Sequence, residues 1–172
     1  MRRTLATATA AAVLGGAGLA AAAPARAALL DPSAYGVAAA GPLAVPAQPA
    51  VDWTSGTPLA AGTLGLQDGA LSVGPMGVAA GEGYAVAHIA NLRYGSVLNV
   101  ASLTATCADG HTSVTIAGTA DGTPLRPGMR LTLPGGYAEV GATTTNDDGS
   151  VTVTGLTLAV NGEVLLAAVA RC

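Results

Sequence analysis

From residue 59 onward, apolar and polar positions alternate in short runs closed by turn residues. The stretch "SVLNVASLTATC" places Val97, Asn99, Ala101, Leu103, Ala105 and Cys107 on one face of an extended segment. Leu98, Val100, Ser102, Thr104 and Thr106 fall on the other, a period of two that reads as a half-buried strand. "ADGH" then turns the chain into "TSVTIAG". "MRLTLP" and "AEVGATTT" flank "GGY", and "NDDG" is a further turn. The clearest hairpin is "SVTVTGLTLAV", "NG", "EVLLAAVARC", because Asn161 and Gly162 suit the two positive-φ positions of a type I′ turn. Both faces of the last segment are apolar, as expected of a central strand covered on each side. Gly155 sits where the alternation before it changes phase, so a bulge is expected there. The one rival for a helix, "GYAVAHIANLRYG", carries tyrosines, Val86 and Ile89 and runs into a Thr-rich continuation, which favours a strand.

The first part of the chain is organised differently. "MRRTLATATAAAVLGGAGLAAAAPARA" opens with two arginines, Arg2 and Arg3, followed by an Ala/Leu/Val/Gly stretch and small residues at Ala25 and Ala27. This is the build of a secretory signal peptide over residues 1–27, cleaved after Ala27. Residues 28–34 read as a short leader and "YGVAAAG" as a first strand. "GPLAVPAQPAVDWTSGTP" follows, and its four prolines confine it to a loop or sheet edge. The expected fold is therefore all-β: an antiparallel β-sandwich of roughly eight to ten strands over residues 35–172, with one disulfide.

Composition adds compartment and partners. Without Arg2, Arg3 and Arg26, the exported chain keeps Arg93, Arg126, Arg130 and Arg171 against ten acidic residues, a net of −6. Such a charge argues against nucleic acid and anionic lipid as partners. After the signal, no apolar run reaches the length of a membrane-crossing helix. Lysine and phenylalanine are absent, so the core must be built from small aliphatic side chains that each bury modest area.

Candidate chemistry is sparse. His88 and His111 are the only histidines, and neither a G-x-S-x-G elbow nor an H-E-x-x-H pattern occurs. Asp109, Asp121 and Asp148 adjoin glycines and Asp147 lies one residue further off, which is ordinary turn chemistry, and no calcium-loop spacing is present. No catalytic residue, metal or cofactor is assigned. Trp53, Tyr84, Tyr94 and Tyr137 are the candidate ligand contacts, as platforms for a sugar or other small ligand, with a core-capping role as the plainer reading of Trp53. An exported chain with two cysteines most simply joins them, here Cys107 to Cys172; free buried thiols and an intermolecular bridge through Cys172 are the alternatives.

"YGVAAAG", "LTATCADG" and "NDDGSVTVTGLTLAVNGEVLLAAVARC", in this order, resemble the choice-of-anchor P family, secreted proteins of high-GC Gram-positive bacteria. The resemblance covers about residues 34–172 and implies location and architecture, with no enzymatic activity attached. Members of that family carry C-terminal surface anchors, whereas no anchor motif is read in this sequence. The expected function is a secreted or cell-envelope-associated, non-enzymatic β domain of structural or adhesive role. The alternative is a binding module for glycan or a small ligand, and a secreted hydrolase ranks below both. Cell-wall glycan, extracellular glycan or a protein are the candidate partners.

Overall fold

The computed structural model describes residues 32–42, 44–53, 59–65 and 71–172. The expected signal segment with Ala25 and Ala27, and the expected leader up to residue 31, lie outside the described residues. The described chain forms twelve strands and no helix: β1 (Ser33–Ala40), β2 (Val45–Asp52), β3 (Leu59–Gly65), β4 (Leu71–Gly81), β5 (Tyr84–Tyr94), β6 (Leu98–Ala108), β7 (His111–Ala120), β8 (Thr123–Pro124), β9 (Arg130–Leu133), β10 (Gly136–Thr145), β11 (Val151–Val160) and β12 (Glu163–Arg171). The count exceeds the eight to ten expected because the proline-rich segment, read as a loop or edge, forms a strand, and because β8 has only two residues. β1 starts at Ser33, inside the expected leader.

The strands form two six-stranded antiparallel sheets, ordered β2-β1-β12-β11-β10-β9 and β3-β4-β5-β6-β7-β8. Each paired neighbour in space is also a neighbour in sequence, except that β12 pairs with β1. The topology is thus an up-and-down meander flattened into a sandwich, and the chain changes sheet only between β2 and β3 and between β8 and β9. Short hairpins are the cheapest way to join antiparallel neighbours. Their chemistry is as expected: Asn161 and Gly162 have φ of 52° and 83°, and Asp109 and Gly110 have 49° and 76°. The proline-rich segment becomes β2, an edge strand, and β12 is central.

The core lies between the sheets. Its largest fully buried side chains are Leu, Ile and Val, among them Leu71, Ile89, Leu92, Leu103, Leu156 and Leu158. Each stabilises by roughly 1.5–3 kcal/mol relative to exposure. Alanines at positions such as 85, 87, 105, 138 and 167 fill the space between them.

Both sheets carry a transverse crease. In β5, Ala85, Ala87 and Ile89 are buried, and the next buried position is Leu92 rather than residue 91. β4 makes the same switch from Val73 to Met76, and β6 from Val100 to Leu103. In the other sheet the switches run from Ala34 to Val37 and from Val153 to Leu156 in the core cluster, and β12 places Ala167, Ala168 and Ala170 in that cluster at the same level. Adjacent strands switch at one level, so their pairing continues unbroken from β4 through β6 and from β11 to β12. The expected bulge at Gly155 is therefore corrected: the phase change is there, but β12 changes phase beside it, with Ala168 at φ 52°. A bulge appears where a strand switches and its neighbour does not, as between β6 and the regular β7 near Val100 and Ser102. The crease also corrects the face assignment in β6. Leu98 and Val100 join Leu103, Ala105 and Cys107 inside, while Asn99 and Ala101 are exposed. In β12 the core residues are Leu165, Ala167, Ala168 and Ala170, with Val164 and Leu166 half-buried.

Candidate functional site

Cys107 ends the inward face of β6, and Cys172 directly follows β12 in the opposite sheet. They form a disulfide with Cα atoms 5.5 Å apart and a sequence separation of 65. The bond therefore ties one sheet to the other. Cys172 is also held by its backbone, exchanging hydrogen bonds of 3.0 and 2.8 Å with Val151.

A polar network surrounds this end of the chain. The turn between β10 and β11 closes through Asn146, whose N–H donates to the Ser150 carbonyl at 2.8 Å. The Asn146 amide also donates to the Ser150 and Thr152 hydroxyls, each at 2.9 Å. Asp148 accepts from the Ser150 N–H at 3.0 Å and from its hydroxyl at 2.6 Å. Arg171 donates to the Ser150 hydroxyl at 2.9 Å and forms a salt bridge with Asp148. The Ser150 side-chain and backbone bonds hold the Asp148 carboxyl below its ordinary value, and Arg171 adds to this. In sequence "NDDG" shows only a turn; the aspartate two residues before a serine is the signal for this self-bonded arrangement.

The four candidate aromatics do not converge. Trp53 follows β2, its N–H bonded to the Pro32 carbonyl, and is 46% exposed. Tyr84 opens β5, is also 46% exposed, and lays its ring over Gly81 so closely that a Cβ there would fall 2.1 Å from Cε1. Register places both at the disulfide end of the sandwich, since Asp52 pairs with Ser33, Ser33 with Arg171, and Tyr84 with Ala108. Tyr94 and Tyr137 lie at the opposite end and are half-buried. The Tyr94 hydroxyl donates to Glu163 across the sandwich. Arg130 sits 4.0 Å from the Tyr137 ring centre and 3.7 Å from Glu139. Both rings at that end are thus engaged within the fold.

The histidines are exposed strand residues. His88 Nδ1 lies 2.9 Å from the Thr104 hydroxyl, its cross-strand neighbour on the outer face. His111 begins β7. Among the described residues, no three His, Cys, Asp or Glu side chains gather as a metal-binding group. No described helix is long and apolar enough to cross a membrane. No protein-family model matches the chain, and comparison with curated proteins and with solved structures finds no match.

Proposed function

We propose that the chain works outside the cytoplasm as a non-enzymatic β domain, structural or adhesive, in the cell envelope or the medium. The observation that carries this reading is the bond between Cys107 and Cys172, which ties the two sheets together. Such bonds persist in oxidising compartments and are kept reduced in the cytosol. The signal-like segment and the resemblance to choice-of-anchor P proteins support the same assignment. Fractionation of a culture expressing the chain tests it. A disulfide-bonded product in the medium or envelope, beginning near Ala28, is the expected result; a reduced, full-length cytosolic product would overturn it.

A second reading, an extracellular binding module, draws on the exposed rings of Trp53 and Tyr84 at one end of the sandwich. Stacking on sugar faces is the chemistry such rings offer. A glycan-binding screen decides it: hits abolished by Trp53→Ala or Tyr84→Ala support it, and hits untouched by both changes reject it.

A further inference from the structure

Among the described residues the sandwich has four edges, and one of them is open. β2 carries Pro46 and Pro49 and packs beside β3, which closes that side. β8 has two residues, one of them Pro124. β9 has four, begins with Arg130 and is followed by Pro134. Short length, proline and charge are the devices that prevent a sheet edge from recruiting another strand.

β7 has none of them. Between residues 112 and 120 it contains neither proline nor a charged side chain, and it is rich in Thr, Val and Ile, which favour strands. It pairs with β6 along its whole length, but among the described residues it meets β8 only at Thr119 and Ala120. The Gly118 carbonyl faces β8, where it accepts the Leu125 N–H at 2.9 Å. In a regular strand, residues two apart turn their backbone groups the same way. Val114 and Thr112 therefore direct their N–H and C=O groups to the open side. The chain then crosses to the other sheet, where the Gly128 N–H donates to the Val140 carbonyl at 2.9 Å. The uncovered part of β7 is thus residues 111–115. Behind it lies a second open stretch: β10 pairs with β9 only from Gly136 to Glu139, which leaves residues 142–145 unpaired on that side. The two edges touch where the Thr112 and Thr143 hydroxyls are 3.3 Å apart.

We propose that this edge pairs with the same edge of a second copy of the chain, β7 against β7 in antiparallel orientation, to extend the sheet across a two-fold axis. The strand matches itself. With the axis at Ser113, Thr112 of each copy faces Val114 of the other, and each such pair exchanges two backbone hydrogen bonds. Ser113 meets Ser113 on the outer face, a hydroxyl pair of the kind that stabilises adjacent strands. Val114, only partly buried at the rim of the core, gains cover. The same axis brings residues 142–145 of the two copies together, again without charge. Because each copy has one such edge, the assembly closes at two. The chain's negative charge lies outside the interface, so added salt screens repulsion and strengthens association.

Sedimentation of the exported chain up to millimolar concentration tests this, together with amide exchange read residue by residue. The expected result is a concentration-dependent dimer, tighter at high salt, in which the Thr112 and Val114 amides gain protection. Ser113→Lys sets two ammonium groups opposite each other on an exposed position and should abolish the dimer while leaving the melting transition cooperative. Thr112→Pro removes an outward N–H and should do the same. Thr132→Lys, on the protected edge, should leave the dimer intact. A chain that stays monomeric, open-ended polymers, a dimer that survives Ser113→Lys, or equal loss on Thr132→Lys would each overturn the proposal. A monomer that instead captures an extended peptide from another protein also counts against it.

Discussion

Asp148 is exposed, yet its carboxyl is held by the Ser150 hydroxyl, the Ser150 N–H and Arg171. Because its folded pKa is lowered, its contribution to stability is present above the ordinary aspartate value near 3.8. That contribution fades as pH falls through the lower folded value. Asp148→Asn should therefore remove part of the loss of stability on acidification. Urea unfolding at neutral pH and below pH 4 measures this, and parallel curves for the two proteins would contradict it. The ingredients of the network are adjacent in sequence except for Arg171, which β12 delivers by pairing with Thr152. That pairing is why a local reading of the sequence found the turn but not its partner.

At the scale of the element, period-two reading located the strands well, and the turn dipeptides located the hairpins. It failed on the faces of β6, where it assumed one phase for the whole strand. A run such as "SVLNVASLTATC" cannot reveal that its inward set changes after Val100, since Ala101 and Ser102 are compatible with either side. In β6 the switch becomes visible only beside its neighbours, whereas at Gly155 the alternation itself shows it. Gly155 lies on that line, with the Ala168 and Ala167 carbonyls 3.0 and 3.1 Å from the place of a Cβ. Those are backbone atoms of the central strand and have little room to yield. Gly155→Val should destabilise by about 1–3 kcal/mol. Chemical denaturation reads this directly, and an unchanged midpoint would show that the crease has slack.

For the whole molecule, all-β architecture, an edge role for the proline-rich segment and the cysteine pairing were legible in the sequence. The meander order was not, because adjacency of β1 and β12 depends on contacts between distant parts of the chain. Nor was the separation of the four aromatics into two ends. Replacing both cysteines, Cys107→Ala with Cys172→Ala, reopens a loop of 65 residues. The loss of stability should be about 4 kcal/mol on the chain-entropy account. Calorimetry of the variant beside the oxidised protein tests the figure, and equal melting temperatures would reject it.

The pairing of β1 with β12 has a mechanical meaning. Ser33 lies opposite Arg171, so the two strands point their outer ends the same way. Tension applied at those ends would peel the pair apart one rung at a time, the weakest direction in which to load a sheet. The disulfide diverts that load. Force arriving at Cys172 passes through sulfur into Cys107 and so into β6, an interior strand of the other sheet. Pulling would then work against the packing between sheets rather than against single rungs, and reducing agent would turn a tough tether into a zipper.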